Sequence, residues 1–290
     1  MAALHRGVMV GLLWGYEQGE KAKEVVRWLD KVAIEAGEQR YKLWFNKVAS
    51  DSHAKILAWD AGEALNVVVG SCNWLSTPSL VNEMTRLNFS FCIRNPLAAA
   101  EFLRALAGLW LQTGRQDWYP AADHLFGYAA KIAAERVAAQ HLVDIRVNGK
   151  IKMVCDFDHE RVMRELLLRA SHRCWVSSHK LGDNAALRLA SLSHQGRPVD
   201  IETLVSYEQL SHHEIPIDVV ADQVRAAGGQ LKQLDNFHAK CIIADDVAFI
   251  SSFNFLSAGP FGSGRAAREV GILVNNKDIA DRLWALATGV

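Results

Sequence analysis

Two stretches far apart in the chain carry the same order of reactive side chains. DSHAKILAWDAGEALNVVVGSCNWLS runs from Asp51 to Ser76, and NFHAKCIIADDVAFISSFNFLS from Asn236 to Ser257. Each places a histidine and a lysine two apart, His53 and Lys55 or His238 and Lys240, ahead of an apolar run. In an extended chain, residues i and i+2 project to one face, so each imidazole stands beside an ammonium. The chain then turns and returns, ending in Ser71 and Asn73 in the first stretch and in Ser252 and Asn254 in the second. An imidazole, an ammonium, a hydroxyl and a carboxamide on one patch suit a tetrahedral phosphate. The lysine and asparagine donate to its non-bridging oxygens, and the imidazole attacks phosphorus or moves a proton.

The elements that must position these groups also repeat. A basic residue, an apolar strand and Tyr-Glu-Gln precede each stretch, as HRGVMVGLLWGYEQ from His5 and GRPVDIETLVSYEQ from Gly196. A helical segment follows in both copies, EKAKEVVRWLDKVAIEAGE in the first and IDVVADQVRAAGG in the second. Each copy closes with an acid, an apolar strand and a last helix. The acid is Glu83 in the first copy and Glu269 in the second. Strands alternating with helices predict an α/β architecture. The second copy has an opening unit that the first lacks: a helix in DHERVMRELLLRASHR, a strand in CWVSSHKLG and a helix in NAALRLASLSHQ. The expected organisation is a first lobe over residues 1–110, incomplete at its start, a helical connector over 111–150 and a second lobe over 151–290. An upstream domain of the same polypeptide, or a partner protein, is expected to complete the first lobe, whose sheet otherwise has an open edge.

Composition narrows the function classes. The chain has 290 residues, half of them hydrophobic, with 32 basic and 32 acidic side chains and a formal net charge of zero. That balance excludes a globally basic nucleic-acid binder and confines any phosphate-binding surface to a local site. The five cysteines form no CxxC pair and sit mostly in apolar runs, which argues against a zinc site or a disulfide framework. The apolar segment PLAAAEFLRALAGLWLQ is too short for a bilayer and carries Glu101 and Arg104. A soluble, cytoplasmic protein with no membrane insertion, no metal and no cofactor is expected.

The paired motifs resemble those of the phospholipase D superfamily, H-x-K-x4-D followed by Gly/Ser-Ser-x-Asn. They read His53-Ala-Lys55…Asp60…Gly70-Ser71-Cys72-Asn73 and His238-Ala-Lys240…Asp245…Ser251-Ser252-Phe253-Asn254. The resemblance covers nearly the whole chain. It implies two lobes related by a pseudo-twofold axis, each a mixed sheet flanked by helices, with one active site between them. It also implies that one histidine becomes a phosphohistidine while the other protonates the leaving oxygen and then activates water, without metal. By the same analogy His53 is the nucleophile and His238 the acid. Lys55, Lys240, Asn73 and Asn254 stabilise phosphoryl charge, with Ser71 and Ser252 in support. Glu83 and Glu269 orient the histidines, and Asp60 and Asp245 serve structure near each hairpin. Ser251 departs from the commoner glycine of the pattern.

The remaining candidates are weaker by spacing. His212 and His213 read as surface residues, His159 as structural, and His179 as structural or close to the site. Cys72 reads as a packed neighbour of Ser71. Arg265 and Arg268, in the glycine-rich GPFGSGRAAR, are positioned in sequence to contact flanking phosphates. Trp14, Trp44 and Trp74 read as core rather than as base-stacking platforms. The stretches after each asparagine, WLSTPSL and FLSAGPF, lack the Asp-x-Arg-Ser associated with lipid-transferring members. The expected function is therefore a metal-independent nuclease on DNA or RNA. A phospholipase or phosphatidyltransferase is the alternative, and a non-catalytic nucleic-acid-binding module lies outside the enzyme class. A helicase or ATPase partner, in DNA repair or phage defence, is the expected context.

Overall fold

The computed structural model describes residues 2–8, 10–12, 14, 19–45, 53–60, 65–72, 86, 88–93, 96–111, 122–123, 125, 127, 129–130, 150–156, 158–193, 201–211, 217–257 and 269–289. Asn73, Glu83, Arg265, Arg268, Trp74, His212, His213 and most of the connector lie outside the described residues. By their internal contacts the residues group into two compact units. One comprises Met1–His53, Asp60–Asn66 and Ile93–Asp144; the other comprises Ala54–Trp59, Val67–Cys92 and Ile145–Val290.

In the first copy of the repeat, helix α1 (Ala2–His5) precedes strand β1 (Val10–Leu12). Helix α2 (Gly19–Glu35) leads through a 3-10 turn to β2 (Leu43–Phe45), which pairs in parallel with β1. Strands β3 (Ile56–Asp60), β4 (Leu65–Gly70) and β5 (Ser90–Ile93) form a separate three-stranded sheet, and helix α3 (Pro96–Leu111) follows.

The second copy builds one continuous sheet. Its strands are β6 (Lys150–Cys155), β7 (Arg173–Leu181), β8 (Glu202–Leu210), β9 (Gly229–Gln233), β10 (Cys241–Ala244), β11 (Val247–Ser251) and β12 (Val270–Asn275). They lie in the order β6-β12-β11-β10-β7-β8-β9. The interleaved helices are α4 (Asp158–Arg169), α5 (Ala185–Leu189), α6 (Ile217–Ala226) and α7 (Lys277–Thr288).

Strand β7 is the axis of this sheet. It runs parallel to β8 and antiparallel to β10, and it is buried on both faces. Burial on both faces takes in polar side chains as well, Ser177, Ser178 and His179 among them. Its side chains still alternate. Cys174 and Val176 join Val205, Ile242 and Phe249 under α4, α5 and α6. Trp175 faces the other way, into a second cluster with Leu204, Phe237, Ile243 and Ala280 of α7. Phe89, at the entry to β5, packs edge-on against Trp175 at 5.7 Å between ring centroids.

The motif aspartate Asp245 holds the β10–β11 hairpin. Its backbone is left-handed, with φ of 52°, a conformation that Asp tolerates. Its carboxylate accepts from the N–H groups of Ser171, His172 and Arg173 and from the Ser171 hydroxyl, at 2.8–3.1 Å. Burial works against its charge, but those donors outweigh burial and hold the carboxyl below its ordinary value. Asp245 thereby clamps the hairpin to the entry of β7.

The first copy has no counterpart of β7 among the described residues. The motif alignment equates β3 with β10, yet Leu57 and Trp59 on β3 are exposed, whereas Ile242 and Ala244 at the matching positions of β10 are buried. The difference follows from neighbours: β10 lies between β7 and β11, whereas among the described residues β3 pairs with β4 alone.

Candidate active site

The segment before β10 sets the histidine and lysine of the second motif. Asn236 turns the chain with φ of 53°, and Phe237 to Lys240 then run extended into the strand. Phe237, Ala239, Cys241 and Ile243 enter one core cluster, so His238 and Lys240 face the other way, as period-two geometry requires. Both are buried, Lys240 completely.

Lys240 Nζ donates to the His238 backbone oxygen at 3.0 Å and lies 3.1 Å from His238 Nε2. An ammonium has donors and no acceptor, so His238 Nε2 presents its lone pair. The proton of the ring then sits on Nδ1, and it points 3.1 Å to the side-chain oxygen of Asn88. Asn88 Nδ2 donates to the Arg86 carbonyl at 3.4 Å, which turns Oδ1 toward the histidine. The Ser71 hydroxyl donates to the same Oδ1 at 2.9 Å.

The two copies match bond for bond around this point. Ser71 N donates to Phe89 O at 3.0 Å, as Ser252 N does to Val270 O at 3.2 Å. Phe89 N donates to Ser71 Oγ, and Val270 N to Ser252 Oγ, both at 3.2 Å. Gly70 N donates to Lys55 O, and Ser251 N to Lys240 O. Finally, Ser71 Oγ bonds Asn88 as Ser252 Oγ bonds Glu269. Asn88 therefore stands where Glu269 stands in the second copy, 17 residues beyond its serine in both. Acidic character pointed to Glu83, which lies outside the described residues, as the partner of Glu269. The equal serine-to-partner interval was the signal in the sequence that identifies Asn88 instead.

Glu269 is buried, donates its N–H to Asp156 Oδ1 at 2.9 Å and receives the Ser252 hydroxyl. Ser251, the departure from glycine, bonds the buried His159 through its hydroxyl at 2.8 Å, while His159 Nδ1 meets the Asp156 carbonyl at 3.0 Å. Burial pulls the His159 pKa down, and its bonds tie β11 to α4, a structural role. At Gly70, the matching position in the first copy, a Cβ would lie 2.3 Å from the Phe89 carbonyl oxygen. A serine is excluded there.

His179 belongs to the site. Its ring meets His238 edge-on at 4.5 Å between centroids. Its Nδ1 bonds Glu208 Oε2 at 2.8 Å, and its Nε2 meets the Gln209 side-chain nitrogen at 2.9 Å. Glu208 in turn pairs with Arg86 at 3.5 Å. The amide nitrogen can only donate, so His179 is neutral with its proton on Nδ1. Burial and the neighbouring His238, Lys240 and Arg86 pull its pKa to about 3. Glu208 and Gln209 come from the repeated Tyr-Glu-Gln, which the sequence showed as a pattern without a role.

Asn254 Oδ1 is buried and has no hydrogen-bond partner among the described residues. Lys55 is buried in the same compact unit as His238, and His53 is half-buried and falls in the other. Asp60 closes β3. Cys72 is half-buried. Trp14 is buried, in keeping with a core role. No cluster of three or more His, Cys, Asp or Glu side chains fit to hold a metal occurs among the described residues. No helix among them is long and apolar enough to cross a membrane.

No family model and no curated protein sequence matches the chain. Solved structures do. Phosphatidylserine synthase of Haemophilus influenzae Rd KW20 superposes over 99% of this chain and 73% of its own, at 12% identity and a TM-score of 0.59. NucT from Helicobacter pylori matches 49% of this chain and 95% of its own, at 14% identity and a TM-score of 0.38. Nuc from Salmonella typhimurium, described as a phospholipase D family member, matches 49% and 93%, at 18% identity and a TM-score of 0.37. The chain has a phospholipase D-like α/β fold, with sheets flanked by helices.

Proposed function

We propose that this protein hydrolyses phosphodiesters of nucleic acids through a covalent phosphohistidine, without a metal ion. The observation that carries the reading is the buried His238–Lys240 pair. An imidazole lone pair and an ammonium are fixed 3.1 Å apart and oriented from behind by Asn88. A phosphoryl oxygen is an acceptor that a donor ammonium and a protonated imidazole suit together.

In this reading His53 attacks phosphorus and the bond from phosphorus to the leaving oxygen breaks. That oxygen takes a proton from His238 Nε2, which has taken it up from solvent as the anionic substrate binds. Water then gives a proton back to His238 and attacks phosphorus, and the phosphorus–nitrogen bond breaks to free His53. Lys55, Lys240, Asn73 and Asn254 hold the non-bridging oxygens, with Ser71 and Ser252 behind them. Arg265 and Arg268 contact flanking phosphates. Nucleic acid is preferred as substrate because both post-asparagine stretches lack the Asp-x-Arg-Ser of lipid-transferring members. Phosphatidyl transfer, the chemistry named for the Haemophilus neighbour, uses the same groups and is the second reading.

The test is a panel of labelled single- and double-stranded DNA, RNA and phospholipid vesicles in excess EDTA. Cleavage of a nucleic acid, lost in both His53→Ala and His238→Ala, is the expected result. Turnover of phospholipid alone moves the assignment to the second reading. A folded protein that acts on none of them overturns the phosphodiester reading.

A further inference from the structure

The two copies of the motif differ at one chemically decisive place. Where the second has the carboxylate of Glu269 on its serine, the first has the amide of Asn88, and it is this amide that receives the Nδ1 proton of His238. We propose that Asn88 is the positioning residue of His238, and that its uncharged amide assigns His238 to proton transfer and leaves the covalent bond to His53. The inference rests on the phosphodiester reading above.

The reasoning is electrostatic. An imidazole that carries a phosphoryl group on one nitrogen and a proton on the other is a cation. A carboxylate on the protonated nitrogen offsets that charge, and an amide does not. A histidine backed by an amide is thus a poor site for the covalent intermediate. It is a good proton donor for the same reason, since little holds its second proton once a leaving oxygen accumulates charge. The surroundings of His238 act in the same direction. Lys240 on its own segment is cationic and donates to Nε2. His179 from β7 is held neutral, and the one nearby carboxylate of β8, Glu208, is already engaged by His179 and Arg86. Arg86 lies on the segment that carries Asn88 and adds positive charge. An anionic phosphodiester beside Nε2 favours its protonation. Proton uptake and substrate binding are thereby coupled, which favours the charged acid when it has a leaving group to serve.

Asn88→Asp tests this with almost no change of shape. The probe is the ring-nitrogen spectrum of histidine-labelled full-length protein, titrated by NMR, with His238 assigned from His238→Gln. In the wild type His238 is expected as the Nδ1–H tautomer near neutral pH. Asn88→Asp is expected to raise the pH of its titration by about one unit or more, a shift that a packing role would not produce. In hydrolysis, the variant should lose more rate on diesters with alkoxide leaving groups than on p-nitrophenyl esters, because a stronger base is a weaker acid. A His238 titration that Asn88→Asp leaves in place overturns the proposal, as does a covalent adduct mapped to His238. If the spectra behave as expected but no phosphodiester is hydrolysed, the positioning by Asn88 stands and the functional reading falls.

Discussion

Replacing His238 with alanine will slow hydrolysis of a diester with an alkoxide leaving group by about 10²–10⁴-fold, the range supplied by a positioned acid. In the first turnover the same variant will lose much less in releasing p-nitrophenol from a p-nitrophenyl ester. The difference follows from where the proton is needed. An alkoxide is a strong base and cannot leave without being protonated, whereas p-nitrophenolate is stable at neutral pH. His238 is suited to that task by its geometry. Its Nε2 faces the ammonium of Lys240, its Nδ1 is tethered to Asn88, and the ring of His179 closes one side at 4.5 Å. Three contacts leave the ring one orientation, so truncation removes a preorganised group rather than one of several. First-turnover rates of leaving-group release for paired alkyl and p-nitrophenyl substrates decide the matter. Equal losses on both would remove His238 from proton transfer.

The second large effect belongs to Lys240. Lys240→Met keeps the length and apolar stem of the side chain and removes its charge. Hydrolysis should fall by about 10²–10³-fold, as it does when a preorganised donor to a developing oxyanion is lost. Stability should not follow. A buried ammonium carries a desolvation cost that methionine relieves, and the lost bond to the His238 carbonyl works against that relief. The net change in unfolding free energy is expected within about 1 kcal/mol, read from urea denaturation beside the rate. A variant that loses activity and unfolds much more readily would make Lys240 a structural residue of β10.

The motif strands and the α/β class were legible because each rests on local periodicity. His238 and Lys240 share a face because the chain there is extended. What was not legible depends on which loop residue reaches back across the sheet. Glu83 was chosen for its charge, and a carboxylate is the expected partner of an imidazole. The hydrogen bonds of Ser71 and Phe89 instead place Asn88 there, and register rather than residue type decides it. The roles of Glu208 and Gln209 beside His179 were hidden for a similar reason. These residues come from β7 and β8, whose parallel pairing brings residues about 30 positions apart into one polar cluster, and no local pattern encodes that neighbour relation.

The covalent intermediate is the central claim, and His238→Ala offers the means to trap it. With the p-nitrophenyl ester of a radiolabelled thymidine phosphate, in excess EDTA, the attack by His53 proceeds while the water step lacks its base. Quenching in alkali and mapping the label by peptide should find it on the peptide that holds His53, stable to alkali and lost in mild acid. Release of p-nitrophenol with no label on the protein, or release that requires a divalent ion, would contradict the account.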